Sequence, residues 1–284
     1  KSGTTVSLVA RSDYDIITKN GISITLPDNK KEIFKPDHVL NEHDFSTLST
    51  YDYVIVCTKV LPTINFTALI KPYLSKNSTI VLIQNGINIE KPYLHAFSDH
   101  ELISGLAFIC VSRTAPGQIH HQDYGKLTLG SYPNGHSESC QELVTLFNKG
   151  TADCHLSSDI AKERFIKLLW NAPFNPLSVT QGGVTTQDLL SSPVIEARIR
   201  TIMHEVLNIA QSEGHNLSST IIDTMIENTK KMTPYKTSML IDFERGNPME
   251  IDAILGNCIA LAKRNNITCK QLSTLYKDLS SIQR

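Results

Sequence analysis

Short apolar runs, each closed by polar residues, mark the first third of this chain. They cover residues 5–10 before Arg11, 53–58 before Lys59, and 79–83 before Gln84 and Asn85. Continuous apolar runs of this length are typical of strands buried on both faces of a parallel sheet. Open α/β sheets bind their ligands at the carboxyl ends of such strands, so the closing polar residues are candidates for binding.

The pattern between and after these runs predicts two different halves. Residues 61–75 predict a crossover helix, 21–26 with 32–34 an antiparallel pair, and 106–112 with 126–129 a hairpin around a Pro-Gly turn. After about residue 153 the apolar positions follow helical spacing over 160–170, 194–212, 219–228 and 248–265. The sequence predicts an α/β Rossmann-type dinucleotide-binding domain over 1–152 and an all-α C-terminal domain over 153–284.

Arg11 is the first hint of a cofactor. At the end of the second strand of a dinucleotide-binding unit, an acid holds a ribose 2′-hydroxyl and an arginine accommodates a 2′-phosphate. Arg11 therefore favours NADPH over NADH, although an arginine at a strand end is most often an ordinary surface residue. The glycine-rich G-x-G-x-x-G loop does not occur in residues 1–284, so that loop and the first strand are expected upstream of residue 1.

A polar stripe runs along the predicted helix that begins near residue 160. Lys167, Asn171 and Asn175 recur every four residues, each about 40° round the helix from the last. The positions between them are mostly apolar, which predicts a helix buried on nearly all sides. Buried amines and amides cost free energy unless they are partnered, so the stripe predicts a cleft. The alternative is the solvated edge of an amphipathic helix.

Composition excludes several classes of function. A formal net charge of -1 with a pI near 6.9 argues against a nucleic-acid-binding protein. No apolar run approaches the ~18 residues that span a bilayer. The six cysteines are widely spaced and no cluster has metal-ligand spacing, while the adjacent His120 and His121 would point to opposite faces of a strand. We expect a cytoplasmic protein without a metal or a membrane partner.

Six segments, in this order, resemble the ketopantoate reductase (2-dehydropantoate 2-reductase) family. They are VSLVAR at 6–11, VIVCTK at 54–59, IQNG at 83–86, RTAPGQIHH at 113–121, KLLWNAPFNPLS at 167–178 and SMLIDFERGNPMEID at 238–252. Each is a weak signal alone, but together they are specific and extend over nearly the whole chain. The resemblance implies an NADP-dependent oxidoreductase that reduces ketopantoate to pantoate with NADPH, on the route to pantothenate.

The resemblance also implies roles for matching residues. Lys167 and Glu250 would be catalytic; the substrate would contact Asn171, Asn175 and Ser238, and the cofactor Arg11, Lys59 and Asn85. Tyr235 stands where some members have a pocket asparagine, so a reductase of another 2-keto acid remains an alternative. A non-catalytic binding or assembly protein is a second one, because the glycine loop is absent. A homodimer is expected if the apolar helices pack against a second copy.

Simple chemistry agrees with these roles. Hydride transfer to a ketone leaves negative charge on the carbonyl oxygen, which calls for a cationic proton donor such as Lys167. Burial would lower the pKa of that amine towards neutrality. Each residue also has a plainer interpretation: Ser238 as a helix cap, Glu250 as a solvated first-turn acid, and Asn175 as a helix-end residue before Pro176.

Overall fold

The computed structural model describes residues 3–41, 50–150 and 152–283. Its strands are β1 Ser7–Ala10, β2 Ile22–Thr25, β3 Lys31–Phe34, β4 His38–Asn41, β5 Tyr53–Val56, β6 Thr79–Ile83, β7 Leu102–Ala115, β8 Gln118–Ser131 and β9 Asp153–Leu156. Its α-helices are α1 Tyr14–Asn20, α2 Phe66–Ile70, α3 Lys91–Ala96, α4 Glu138–Lys149, α5 Ile160–Thr180, α6 Thr186–Ser191, α7 Pro193–Ser212, α8 Thr220–Lys231, α9 Ser238–Glu244, α10 Asn257–Arg264 and α11 Lys270–Ile282.

The chain divides into two compact units. Unit 1 comprises Lys1–Val56, Phe66–Ile83 and Phe97–Ser158, and unit 2 comprises Cys57–Asn65, Gln84–Ala96 and Asp159–Arg284. The α/β class of the first half and the all-helical class of the second are confirmed. The segments after β5 and β6 also belong to unit 2, and a domain division at residues 152 and 153 stays a proposal.

The sheets of unit 1 carry the three runs that the sequence singled out. One sheet has the order β3-β2-β8-β7-β6-β5, with β9 paired to β8, and a second sheet pairs β1 with β4. Strand β6 is buried as predicted, with Val81 and Leu82 fully inaccessible. The prediction of burial on both faces is wrong for β1 and β5, where Val9 is 39% and Ile55 42% exposed. Within the described residues each of these two strands pairs with a single neighbour.

The two predicted antiparallel pairs are present. Strands β2 and β3 are antiparallel, and β7 and β8 form a hairpin longer than the apolar pattern indicated. The predicted crossover helix is shorter, because α2 ends at Ile70 and a 3₁₀ turn over Lys71–Tyr73 contains a proline. The sequence pattern therefore located the elements and missed their lengths.

Helix α5 is the centre of unit 2. Its side chains at Leu168, Leu169 and Phe174 are at most 2% exposed, within the largest apolar cluster of the chain. The apolar spacing predicted a helix over 160–170 and the polar stripe extended it to Asn175; the observed helix continues through Pro173 and Pro176 to Thr180. A proline inside a helix costs about 3 kcal/mol, which burial of the surrounding apolar residues offsets. Gly182 and Gly183, just after the end of the helix, have positive φ angles of 95° and 81°.

Candidate active site

Three segments of unit 2 carry most of the expected site residues. Strands β5 and β6 are adjacent and parallel, so they end at one edge of their sheet. Residues 57–65 and 84–90, which follow these strands directly, pack with the helices of unit 2. The third segment is α5 itself. These three segments belong to unit 2, so residues that are far apart in the sequence come together within that unit.

A chain of hydrogen bonds joins Lys167, Asn85 and Glu250. The Lys167 Nζ donates to Asn85 Oδ1 at 2.9 Å, and Asn85 Nδ2 donates to Glu250 Oε2 at 3.2 Å. The other carboxylate oxygen of Glu250 accepts the Val60 backbone N–H at 2.8 Å. Glu250 is 9% exposed, so the interpretation of this residue as a solvated first-turn acid is wrong. One amide side chain thus links the ammonium to the carboxylate and fixes its own orientation in doing so.

The Lys167 amine is desolvated and has an unusual pKa. Burial lowers it from the ordinary value of 10.5 to about 8, and the positive charge of Arg164 lowers it as well. The negative charge of Glu250 acts in the opposite direction and raises it. A lysine with this pKa is mostly charged at neutral pH and releases its proton readily, which is the behaviour of a general acid.

The loop that carries Asn85 is fixed by close backbone contacts. Gly86 has a φ of +99°, and a Cβ there would lie 2.5 Å from the Ala253 carbonyl oxygen. Ala253 belongs to a π-helical turn over Asp252–Gly256, and its carbonyl accepts the Ile87 N–H at 3.1 Å. Asn257 Nδ2 donates to the Ile87 carbonyl at 2.8 Å. Only glycine fits at this approach, which accounts for the glycine of the IQNG segment.

Lys59 lies on the segment after β5 and is bound to α9. Its ammonium is 2.5 Å from an Asp242 carboxylate oxygen and 3.3 Å from the Pro248 carbonyl oxygen. The Lys59 side chain is 38% exposed, so this cation faces solvent on one side. The ion pair sets the position of the segment that also carries Val60, whose N–H binds Glu250.

The two asparagines of the α5 stripe are buried within the helix. Asn171 is 7% and Asn175 2% exposed, and no residue of the described chain hydrogen-bonds to either side-chain amide. The alternative of a solvated helix edge is therefore wrong, and Asn175 lies inside the helix rather than at its end. Neither amide is among the fully inaccessible side-chain atoms that lack a partner, so the amide atoms can be reached from outside although the side chains are mostly enclosed. Such amides are typical of a site that a ligand completes.

Ser238 and Arg11 are both exposed. Ser238 is exposed and is the first residue of α9, while the neighbouring Thr237 caps that helix by accepting the Leu240 N–H at 3.2 Å. The suggestion that Ser238 serves only as the cap is therefore wrong. Arg11 is exposed and follows β1 in unit 1, as the sequence indicated.

Trp170 of α5 lies against α8. Trp170 stacks on Phe174 with ring centroids 4.9 Å apart, and its Nε1 donates to the Thr229 hydroxyl at 3.1 Å. The Tyr235 ring is 6.4 Å from that of Trp170. Trp170 is therefore a partly buried residue packed against the apolar core.

Sequence reasoning missed a buried ion pair next to the site. Arg164 and Glu90 have side chains that are 1% and 0% exposed and contact each other through Nε and Oε1. An arginine three residues before Lys167 in an otherwise apolar helix was a visible signal. Its partner, however, is distant in sequence, and no local pattern pointed to it.

Other kinds of site are not found in the part of the chain that is described. No group of three or more histidine, cysteine, aspartate or glutamate side chains within residues 3–41, 50–150 and 152–283 is arranged to hold a metal ion. Among the helices of those same residues, none combines the length and the apolar character needed to cross a bilayer. The hydrogen-bonded group of Lys167, Asn85 and Glu250 is therefore the candidate active site.

Two family models match most of the chain. The family model described as "Ketopantoate reductase PanE/ApbA" matches residues 1–134, and "Ketopantoate reductase PanE/ApbA C terminal" matches residues 159–283. A 2-dehydropantoate 2-reductase of Nostoc sp. is 31% identical over 98% of this chain and 88% of its own length.

Solved structures of 2-dehydropantoate 2-reductases also match this chain over nearly its whole length. The crystal structure of 2-dehydropantoate 2-reductase from Methylococcus capsulatus matches with a TM-score of 0.92 and 40% identity, over 99% of this chain and 90% of that one. The corresponding structure from Geobacter metallireducens has a TM-score of 0.90 and 29% identity, over 99% and 92%. The chain therefore belongs to the ketopantoate reductase family, whose members are oxidoreductases that act on CH–OH groups.

Proposed function

We propose that this protein reduces 2-dehydropantoate to pantoate with NADPH, as a step towards pantothenate. The single observation that carries the proposal is the desolvated Lys167 amine, with a pKa lowered to about 8 and a hydrogen bond to Asn85. A ketone that accepts a hydride needs a proton at its oxygen, and this amine is tuned to supply one. The family of the chain supports the same reaction class.

In this proposal Lys167 acts as the general acid. Its ammonium stabilises the negative charge that grows on the carbonyl oxygen and then transfers a proton to that oxygen. The Asn85 carbonyl oxygen accepts one N–H of the ammonium and so fixes the direction of the amine. Glu250 holds the amide of Asn85 in the orientation that this requires.

Glu250 has a second proposed role at the substrate. Its carboxylate is held by two donors on the protein side, the Val60 N–H and the Asn85 amide. A carboxylate oxygen has more than one lone pair, so it can still accept a hydrogen bond from a substrate hydroxyl. The negative charge also keeps the pKa of Lys167 from falling further, which maintains the acid in its charged form.

Asn171, Asn175 and Ser238 are proposed to orient the substrate. The two buried amides lack protein partners in the described chain, so a ligand with hydroxyl and carbonyl groups satisfies them. Neutral amides donate and accept without adding charge that would compete with Lys167. The exposed hydroxyl of Ser238 is available to donate to the carboxylate of a 2-keto acid.

Arg11, Lys59 and Asn85 are the proposed cofactor contacts. The exposed Arg11 guanidinium after β1 fits a 2′-phosphate, which distinguishes NADPH from NADH. Lys59 keeps a solvent-facing side while it binds Asp242, so its ammonium can also contact an anionic group. When bound, the nicotinamide supplies the hydride. The protein's own residues orient the ketone and deliver the proton.

A second candidate is the reduction of another bulky 2-keto acid. The observation that favours it is the Tyr235 ring beside Trp170, at a position where some members of the family carry a polar asparagine. An aromatic wall favours a larger apolar substituent than an amide would. The remaining alternative, a protein that binds without catalysis, gives no reason to maintain a desolvated amine with a lowered pKa. A homodimer and a cytoplasmic location stay proposals.

Turnover of a panel of 2-keto acids with NADPH and NADH tests the proposal. We expect turnover of 2-dehydropantoate with NADPH, and a Lys167→Ala variant that still binds NADPH while kcat falls by on the order of 10²- to 10⁴-fold. Lys162→Ala, which removes a lysine from the first turn of α5, is the matched control and should retain turnover. Substantial turnover by the Lys167 variant would overturn the assignment, and a better substrate than 2-dehydropantoate would favour the second candidate.

A further inference from the structure

Arg164 is the most deeply buried arginine described in unit 2. Its side chain is 1% exposed and pairs with Glu90, whose side chain is inaccessible. Removing two charges from water costs several kcal/mol per ion before their attraction is counted, so a buried pair adds little net stability. Net stability therefore does not explain why Arg164 and Glu90 are buried together at this place.

The guanidinium of Arg164 hydrogen-bonds to backbone carbonyls on both sides of Asn85. Its Nη1 donates to the Gln84 carbonyl at 2.9 Å and to the Gly86 carbonyl at 3.0 Å, while Nε contacts Glu90. The two carbonyls flank the one residue whose side chain links Lys167 to Glu250. The peptide group before Asn85 and the peptide group after Gly86 are thus both held by one guanidinium.

We propose that Arg164, held in place by Glu90, is a positioning residue that sets the orientation of Asn85 and, through it, the direction of the Lys167 ammonium. This inference rests on the proposed function and deepens it. Arg164 itself is not assigned a contact with substrate or cofactor; it acts through the loop.

Arginine suits this task better than lysine. Its planar guanidinium presents donors in fixed directions, so one side chain satisfies two carbonyls and a carboxylate at once. Lysine has one rotatable ammonium at the end of a flexible stem and cannot hold the same three groups in the same geometry. A shift of about 1 Å in a catalytic group is enough to lower a rate on the order of 100-fold.

The same charge has an electrostatic consequence for Lys167. Arg164 lies one helical turn before Lys167, and its positive charge lowers the pKa of that amine, whereas Glu250 raises it. Glu90 partly neutralises Arg164. A change at Glu90 therefore alters the charge felt by Lys167 even though Glu90 is on another segment.

A double-mutant cycle on the full-length protein tests the positioning role. The variants are Arg164→Lys, Asn85→Ala and the double variant, with Arg200→Lys as the control because Arg200 binds Glu196 and Asp223 on another face of unit 2. We expect Arg164→Lys to lower kcat by on the order of 10- to 100-fold. In the Asn85→Ala background the same change should have almost no effect, because interacting residues are not additive. Effects that multiply, or an Arg164→Lys variant with normal kcat, would overturn the inference.

A second variant keeps the test valid if Arg164→Lys does not fold. Glu90→Gln retains the size of the side chain and leaves Arg164 less neutralised, so the Lys167 amine should titrate at lower pH than in the wild type. NMR titration of ¹³C-labelled lysine measures this shift without turnover, and the Lys167 signal is identified by its absence from Lys167→Met. An unmoved Lys167 titration in a folded Glu90→Gln protein contradicts the inference.

The two readouts separate failure of the inference from failure of the proposed function. A wild-type protein that reduces none of the 2-keto acids refutes the proposed function, while the NMR titration still decides whether Glu90 and Arg164 act on Lys167. Normal wild-type turnover with additive variants refutes the positioning role alone. Arg200→Lys should change neither kcat nor the titration.

Discussion

A methionine in place of Lys167 is expected to stabilise the protein, and to do so only at pH values where the lysine is charged. The amine is charged in the unfolded chain up to its ordinary pKa of 10.5, but in the folded chain only up to about 8. Folding below pH 8 therefore includes the cost of burying a positive charge. Between about pH 8 and 10.5 the unfolded state binds more protons, so the stability of the wild type rises with pH.

The size of the effect follows from the pKa difference. The interval between 10.5 and about 8 corresponds to about 3 kcal/mol at about 1.4 kcal/mol per pKa unit. Methionine fills a similar volume without charge, but it leaves the Asn85 carbonyl oxygen without its 2.9 Å donor, which costs about 1 kcal/mol. A net gain of about 2 kcal/mol is expected below pH 8; it should disappear between pH 8 and 10.5, and above that range the variant should be less stable by about 1 kcal/mol because the hydrogen bond is still missing.

Urea-induced unfolding followed by tryptophan fluorescence measures this gain. The chain has one tryptophan, Trp170, and it lies on the same helix as Lys167, so its signal reports the relevant unit. Wild type, Lys167→Met and the control Lys162→Met are compared at pH 6.5 and again near pH 10.5. A Lys167→Met protein that is no more stable than the wild type at pH 6.5, or a difference that does not depend on pH, would show that the amine is not desolvated.

Three further outcomes follow from the site geometry. The kcat/KM for ketone reduction should fall about tenfold per pH unit above about pH 8, as Lys167 of the free enzyme loses its proton; a flat pH profile of kcat/KM up to pH 9.5 would contradict this. Gly86→Ala, with φ at +99° and a contact of 2.5 Å to the Ala253 oxygen, should lower the free energy of unfolding by about 1–3 kcal/mol from backbone strain, lower it further through the contact, and reduce kcat as well. Gly214→Ala, with φ at +90° and no atom near the added Cβ, has the backbone strain alone and should leave kcat unchanged. Asn175→Leu should leave thermal stability equal or higher while KM for the keto acid rises at least about tenfold; an unchanged KM would remove Asn175 from the proposed substrate site.

The sequence pattern located the parts of the site that depend on local periodicity. Four-residue spacing placed Lys167, Asn171 and Asn175 on one helix, and the apolar residues between them indicated a buried one. The polar residues at strand ends also pointed to Lys59 and Asn85. Each of these inferences needs only the geometry of a helix or a strand, which is the same in every protein.

Other features depend on contacts between distant residues and gave no local signal. The pairing of Arg164 with Glu90 joins positions 74 residues apart, and the hydrogen bond from Val60 to Glu250 spans 190. The π-helical turn that accepts the Ile87 N–H lies where the apolar spacing predicted an ordinary helix. Helix α5 also passes through two prolines, because tertiary burial outweighs the local preference to end there.

The amide of Asn85 between an ammonium and a carboxylate resolves a conflict in the proposed chemistry. A general acid has to be held in one orientation, yet a carboxylate in direct contact would raise the pKa of a lysine and make proton release harder. An amide accepts from the lysine on one side and donates to Glu250 on the other, so it transmits orientation while it carries no charge. Its own orientation then has to be fixed from outside, because an amide that rotates by half a turn presents a donor to the ammonium. Two sets of contacts fix that orientation: Arg164 hydrogen-bonds to the backbone around Asn85, and Glu250 accepts a hydrogen bond only when the NH₂ group of the amide faces it.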